Sequence, residues 1–197
     1  EALIKLFTYR FNKGQGIKGH NLGNLILTGL RDIYGSEPKA LEHAASLFRI
    51  NGNVLPVSLS QATLCAVYEN GKKFIGEHEI DQPSFGGGLR VQRIFLRPEI
   101  SLYAKAAKAI EDSDLIVLGP GDIYTSTSPC LLVNGMREAL NKSRGQMVYI
   151  VNLMNRYSQT HNFKVSDYIR EIEKYAGRPV DVAVVNTGKI PEKFLKY

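Results

Sequence analysis

The chain has 197 residues, of which 44% are hydrophobic and 22% charged, and its 25 Lys and Arg against 19 Asp and Glu give a net charge of +6. This composition is typical of a folded globular domain and excludes a disordered chain, a collagen-like repeat and a disulfide scaffold. No apolar run reaches the length of a membrane-spanning helix. The positive charge suits an anionic ligand such as a nucleotide but is too small to indicate nucleic-acid binding. We therefore expect one globular domain that binds neither nucleic acid nor a membrane.

The first half of the chain predicts a mixture of helices and strands. Gly35 can stop a helix, and Ser36, before Glu37 and Pro38, can cap the next one. An Asn70-Gly71 pair between alternating apolar runs predicts a β-hairpin. A Gly-rich loop at 82–88 precedes the last strand of this half. By hydrophobic periodicity the predicted helices are 1–11, 20–34 and 36–48, and the predicted strands are 54–59, 63–68, 72–80 and 90–96.

The second half alternates helices with short, almost uniformly apolar strands. That pattern predicts parallel strands covered on both faces, in a Rossmann-like three-layer α/β sandwich with a mostly parallel sheet and the hairpin as an excursion. Ligands of such sheets bind beyond the carboxyl ends of the strands. We therefore expect the site in the loops after Leu118, Leu153 and Val185. The predicted helices are 101–112, 130–141 and 166–176, and the predicted strands are 114–119, 147–154 and 181–186.

The cysteines and histidines indicate a reducing compartment and no metal site. Cys65 and Cys130 have no CxxC spacing, so neither a disulfide framework nor a zinc ribbon is encoded, and we expect a cytoplasmic protein. His43, His78 and His161 share no metal-ligand spacing. Neither cysteine has a base beside it in sequence, and no Ser-His-Asp order with a nucleophile elbow occurs. The residues thus predict no catalytic set, no metal and no cofactor.

The segment GPGDIYTSTSP, residues 119–129, follows the first strand of the second half. Its glycines let backbone N–H groups approach a ligand, and its hydroxyl side chains stand beside the start of the next helix. A phosphate or a ribose needs this chemistry, although the segment matches neither a P-loop nor GxGxxG. The alternative is an ordinary strand-to-helix turn whose Ser and Thr cap the helix.

Two further segments are candidates for ligand contacts. GHNLGN, residues 19–24, places a histidine and two amides at a helix start between glycines. Its alternative role is structural, with Asn21 as a cap and Gly23 as a close-packing residue. The segment 155–163 supplies Arg156 as an anion partner and Tyr157 or Phe163 to stack a base, unless it is a solvated loop.

Read together, several segments resemble the gluconeogenesis factor family (YvcK-type), which belongs to the superfamily of 2-phospho-L-lactate transferase (CofD-type). GHNLGN and GPGDIYTS are specific for this resemblance when found together, and the remaining segments occur in the family's order and roughly its spacing. These segments are GHNLGNLILTGL, NVLPVSLSQATLCAVYENGKKFIGEHEI, DLIVLGPGDIYTSTSPCLLVNGMREAL, VYIVNLM, VSDYI and DVAVVNTGKIP.

The resemblance implies a cytoplasmic bacterial protein that binds a nucleotide sugar similar to UDP-N-acetylglucosamine and is required for growth and cell shape on gluconeogenic carbon sources. It implies no firm catalytic activity. With Phe163 added as the base-stacking candidate, the expected ligand-binding residues are Gly19, His20, Asn21, Gly23, Asn24, Gly119, Gly121, Asp122, Tyr124, Thr125 and Ser126.

The chain departs from the family pattern in two places. The family's opening GGGTG-like turn and its Asp-Asp-Gly-Gly segment do not occur, and the chain begins at Glu1 rather than Met. We therefore expect residues 1–197 to be a partial domain that lacks an N-terminal part and a C-terminal end. Where the family commonly reads MTQPGETDGY, this chain reads MNRYSQTHNF, residues 154–163.

The leading hypothesis is a regulatory nucleotide-sugar-binding protein, in which ligand binding orders loops that present a surface to a partner. The alternative is a transferase that moves a phospholactyl-like group from a nucleoside diphosphate donor to a deazaflavin acceptor, with Mg²⁺ near Asp122. A third hypothesis is an α/β module whose site has decayed. We expect a homodimer because closed symmetric oligomers are common.

Overall fold

The computed structural model describes residues 2–84 and 88–189, which fall into two units, Glu1–Leu59 and Ser60–Tyr197. No helix within these described ranges is long and apolar enough to cross a membrane. The prediction of a single partial domain stays a prediction. The elements of the first unit are α1 (Ala2–Phe7), α2 (Leu22–Tyr34) and α3 (Glu37–Leu47).

The first unit confirms the helix end at Gly35 and the helix start at Ser36, whereas the predicted helix 1–11 ends at Phe7. Gly35 adopts the left-handed conformation (φ 70°) that ends α2, and Ser36 holds the N-cap position of α3, although its side chain makes no capping hydrogen bond. Residues 54–59 do not form the predicted strand. Pro56 cannot donate to a ladder, and no strand within the described residues pairs with this segment, so its apolar run stays irregular.

An antiparallel sheet opens the second unit. Its strands are β1 (Thr63–Tyr68), β2 (Lys73–Ile75) and β3 (Val91–Arg97), in the order β2-β1-β3. The predicted Asn70-Gly71 hairpin is confirmed: Gly71 has φ 78°, and the Tyr68 N–H donates to Lys72 O at 2.9 Å. The predicted strand 72–80 ends early because Gly76 (φ 96°) turns the chain into α4 (Glu77–Asp81). Residues 85–87 of the predicted 82–88 loop lie outside the described residues.

The rest of the second unit is the predicted parallel α/β arrangement. Strands β4 (Leu115–Leu118), β5 (Gln146–Ile150) and β6 (Val182–Val184) pair in parallel in the order β4-β5-β6. The predicted helix 130–141 is interrupted at Gly135 (φ 93°) because Asn134 pairs with the backbone of 100–102. The helices are α5 (Ala104–Glu111), α6 (Ser128–Leu131), α7 (Met136–Lys142) and α8 (Val165–Ala176), with a π-helical turn at Ile123–Thr127.

The two faces of the parallel sheet differ in exposure. Met147 and Tyr149 on one face are fully buried. On the other face Leu115, Val117 and Val184 are each about half exposed. The described residues therefore cover one face of the parallel sheet, as predicted, and leave the other face partly exposed.

Side chains from α8 and the π-helical turn form hydrogen bonds with backbone groups at the outer edge of β3. The Ile94 N–H donates to the Tyr175 hydroxyl at 3.1 Å, and Lys174 Nζ donates to Gln92 O at 3.0 Å. The Tyr124 hydroxyl lies 3.1 Å from Glu171 Oε1 and 3.5 Å from Val91 O. Burial raises the pKa of Tyr124, so this phenol remains a neutral donor. The antiparallel sheet is thereby joined to the helix that packs beside the parallel strands.

Replacement of Tyr175 by Phe is expected to lower the free energy of unfolding by about 1 to 2 kcal/mol, because the buried Ile94 N–H loses its acceptor. Urea denaturation measures the change. Tyr157→Phe alters a tyrosine that is 60% exposed and should leave the midpoint unchanged. Equal midpoints for Tyr175→Phe and the parent would show that the hydroxyl does not stabilise this edge.

Candidate functional site

The loop after β4 presents backbone N–H groups to solvent. Gly119 and Pro120 are exposed and Gly121 is half-buried, and the N–H groups of both glycines donate to no acceptor among the described residues. The Asp122 carbonyl accepts from Ser126 N (2.8 Å) and Thr127 N (3.1 Å), which starts the π-helical turn. A Cβ on Gly121 would lie 3.2 Å from atoms of Ser126 and Thr127, so this turn is tight. The free N–H groups are suited to an anion.

The π-helical turn leaves some of the predicted ligand-binding residues of this segment at the surface and buries the others. Gly119, Asp122 and Ser126 reach the surface. Tyr124 and Thr125 are buried, and Tyr124 binds the edge of β3. The sequence shows hydroxyl side chains but not the π-helical geometry that turns two of them inward. A ligand contact of Tyr124 or Thr125 stays a prediction, and their burial argues against it.

A cleft of about 410 Å³ lies at the carboxyl ends of β5 and β6, where the sheet topology predicts a ligand. Its walls combine apolar side chains with amides, which is the surface that a nucleobase or ribose requires. The lining residues are Val151, Asn152, Leu153, Met154, Asn155, Phe163, Val165, Tyr168, Val185, Asn186 and Gly188.

Asn152 connects this cleft with the loop after β4. Its Nδ2 donates to the Gly121 carbonyl at 2.7 Å, and its Oδ1 lies 3.5 Å from the Tyr149 hydroxyl. The two glycine N–H groups and the cleft are thus parts of one strand-end surface. Sequence reasoning missed Asn152, although a polar residue directly after an apolar strand is a signal that could have found it.

The ring of Phe163 lines the cleft in a fixed position. The Arg90 guanidinium lies 5.2 Å from its centroid, and the Tyr168 ring meets it edge-on at 5.3 Å. Asn155 Nδ2 donates to the Phe163 carbonyl at 3.1 Å and holds the backbone. A ring held in this way loses little side-chain freedom when a base stacks on it.

Arg156 pairs with two carboxylates instead of standing free for an anion. Its Nη2 lies 2.6 Å from Asp81 Oδ2, and its Nη1 bonds Asp122 Oδ2. The Arg156 N–H donates to Thr160 Oγ1 at 2.8 Å, and Gln159 Nε2 donates to Asp81 Oδ1 at 3.3 Å. Asp81 comes from α4, and no local motif in the sequence signals its place in this cluster.

The GHNLGN residues lie in the first unit, and there the structural alternative is confirmed for two of them. Asn21 Oδ1 accepts from the Asn24 N–H at 3.0 Å and caps α2. Gly23 is buried against Phe7, whose carbonyl oxygen would lie 2.6 Å from an added Cβ. Gly19, His20 and Asn24 are exposed. A ligand contact stays a prediction for all five residues, Asn21 and Gly23 included.

No three His, Cys, Asp or Glu side chains within 2–84 and 88–189 are placed to hold a metal ion. Asp122 in the glycine loop and Asp81, which shares Arg156 with it, are carboxylates that could assist a cation bound with a ligand. Arg156 engages both of them, so a cation would compete with its guanidinium.

The comparisons with known proteins are consistent across sequence and structure. The family model described as "2-phospho-L-lactate transferase CofD" matches residues 1–197. A Thermotoga maritima protein named "Putative gluconeogenesis factor" is 40% identical over 196 residues, 100% of this chain and 61% of its own length. An Aquifex aeolicus protein of the same name is 40% identical over 190 residues, 95% of this chain and 57% of its own length.

A crystal structure of a Bacillus halodurans protein superposes with a TM-score of 0.91 at 34% identity, covering 99% of this chain and 63% of that one. The chain therefore spans about three fifths of the length of the relatives it matches. The resemblance read from the sequence and the α/β fold class are confirmed.

A double-mutant cycle on Arg156 and Asp81 is expected to give a coupling energy of about 0.5 to 1 kcal/mol in urea denaturation, since both side chains are partly exposed. The coupling should shrink in 1 M salt. Lys108 and Asp112, an exposed pair at the C-terminal end of α5, serve as the matched control and should couple by about 0.3 kcal/mol. A coupling no larger than that of the control would show that the Arg156 cluster does not hold α4 to the site.

Proposed function

Because this chain belongs to the CofD family over its whole length, we propose that it binds a nucleotide sugar of the UDP-N-acetylglucosamine class at the carboxyl ends of β4, β5 and β6. The observation that carries the proposal is Asn152, which joins the N–H groups of the glycine loop to the cleft. A nucleotide sugar needs both parts, one for its diphosphate and one for its nucleoside.

In this proposal the diphosphate accepts from the free N–H groups of Gly119 and Gly121, with the Ser126 hydroxyl beside them. The nucleoside enters the cleft, where the base packs on Phe163 and the side-chain amides of Asn155 and Asn186 lie along the wall. The backbone N–H groups provide affinity for any diphosphate. The cleft provides the preference for one nucleoside.

The proposed role is regulatory rather than catalytic. The titratable group that lines the cleft is Tyr168, whose pKa is raised by burial, so it is not a base at neutral pH. Relatives of this chain are named as gluconeogenesis factors, and we extend to it a role in growth and cell shape on gluconeogenic carbon sources. Ligand binding would order the loops after β4 and β5 for a cytoplasmic partner.

A transferase is the second candidate, favoured by the description of the matching family. Its chemistry requires Mg²⁺ near a nucleoside diphosphate, and Asp122 in the glycine loop is the carboxylate at hand. The Arg156 guanidinium would have to leave Asp122 for this chemistry. A metal-dependent response to GDP separates this candidate from the regulatory one.

A thermal-shift titration of the full-length protein with UDP-N-acetylglucosamine, GDP and NAD, each with and without Mg²⁺, tests the proposed function. A ligand that binds the native state raises the Tm. We expect a metal-independent rise with the UDP-sugar, about 4 to 8 °C at 100 times Kd if stabilisation follows mass action. A rise with GDP that requires Mg²⁺ would favour the transferase, and no rise with any ligand would favour a decayed site.

Substitution of Phe163 by Ala is expected to weaken UDP-sugar binding about 10-fold or more, because the base loses a stacking surface. Isothermal titration calorimetry measures the change. Phe95→Ala is the matched control, since Phe95 is also half-buried with an arginine, Arg93, 5.3 Å from its centroid, but does not line the cleft. Equal losses in both variants would remove Phe163 from the binding site.

A further inference from the structure

The Arg156 guanidinium, which bonds Asp122 of the glycine loop, is already paired with two carboxylates. The two terminal nitrogens of the Arg156 guanidinium bond separate aspartates, Asp122 from the loop itself and Asp81 from α4. A guanidinium is well suited to bidentate recognition of phosphate, and this one is directed toward protein carboxylates. An incoming phosphate would therefore have to compete for it.

The charges of the cluster decide which ligands can compete. Two carboxylates and one guanidinium sum to −1, so the cluster repels further negative charge at the Gly119 and Gly121 N–H groups. All three side chains are about one quarter to one third exposed, so this repulsion is screened by solvent but not abolished. A ligand of higher negative charge is penalised more.

Asp81 differs from Asp122 in its position in the fold and in the side chain that holds its carboxylate. Asp122 belongs to the loop that the proposed function assigns to the diphosphate, whereas Asp81 comes from α4 of the antiparallel excursion and has no part in that assignment. Gln159 Nε2 donates to Asp81 Oδ1 at 3.3 Å and holds the carboxylate against Arg156. The antiparallel excursion thus places a negative charge at the parallel-sheet site.

From this arrangement we propose that Asp81 is a specificity-determining residue, which competes with the ligand's phosphates for Arg156 and makes the site select against highly charged anions. The proposal rests on the proposed function for its nucleotide-sugar ligand. It favours a diphosphate esterified at both ends, as in a nucleotide sugar, over a free nucleoside diphosphate or pyrophosphate, because the second ester removes negative charge.

The test is calorimetric titration of the full-length parent protein and its Asp81→Asn variant with inorganic pyrophosphate, UDP, UDP-N-acetylglucosamine and uridine. The Asn side chain can still accept from Gln159, and the Tm of the variant checks the fold. We expect Asp81→Asn to increase the affinity for pyrophosphate and UDP about 5- to 10-fold, to increase the affinity for the UDP-sugar less, and to leave the affinity for uridine unchanged. The gain should decrease in 0.5 M salt.

Two further variants complete the test. Asp112→Asn removes a carboxylate from an exposed ion pair at the C-terminal end of α5 and should leave every affinity as in the parent. Adding Arg156→Gln to Asp81→Asn should abolish the increased affinity for pyrophosphate and UDP, because that increase comes from the freed guanidinium. Unchanged pyrophosphate and UDP affinities in Asp81→Asn would overturn the proposal, as would weaker UDP-sugar binding, which would make Asp81 a direct ligand contact.

The two proposals fail in distinguishable ways. If the parent binds no nucleotide but Asp81→Asn gains pyrophosphate binding that Arg156→Gln removes, the proposed function fails and the role of Asp81 stands. If the parent binds the UDP-sugar and Asp81→Asn does not change its selectivity, the proposed function stands and Asp81 only holds the fold.

Discussion

The outer edge of β3 is the constraint on which the second unit depends. An edge strand carries backbone groups that must find partners, and here they are met by Tyr175 and Lys174 of α8 and by Tyr124 of the π-helical turn. The same helix follows the loop after β5, and the same turn follows the loop after β4. The hydrogen bonds to the edge of β3 therefore fix the positions of the two loops that form the candidate site.

This arrangement explains why an antiparallel excursion takes part in a strand-end site. With β3 tied to α8, the hairpin and α4 are held where Asp81 meets Arg156. The parallel strands supply the cleft and the glycine N–H groups, as their topology predicts. Helix α4 of the antiparallel excursion supplies the charge of Asp81, which topology alone does not predict.

The sequence predicted the elements whose signals are local. The Asn70-Gly71 hairpin and the end of α2 at Gly35 depend on neighbouring residues, and both are confirmed. The run 54–59 has the composition of a strand but no partner strand in the described structure, and the tail of the predicted strand 72–80 became α4 after Gly76. Pairing is a long-range property, so composition alone could not decide these segments.

In the candidate site, the sequence likewise reveals the type of each residue but not the direction of its side chain. The hydroxyl-rich segment 119–129 was recognisable as a ligand loop, but the π-helical turn sends Tyr124 inward to the edge of β3. Arg156 was recognisable as an anion partner, but its guanidinium is engaged by Asp122 and by Asp81, which precedes it by 75 positions in the sequence. Because both outcomes depend on tertiary contacts between segments that are far apart in the chain, the sequence could supply the chemical groups of the site, while the fold decides which remain available to a ligand.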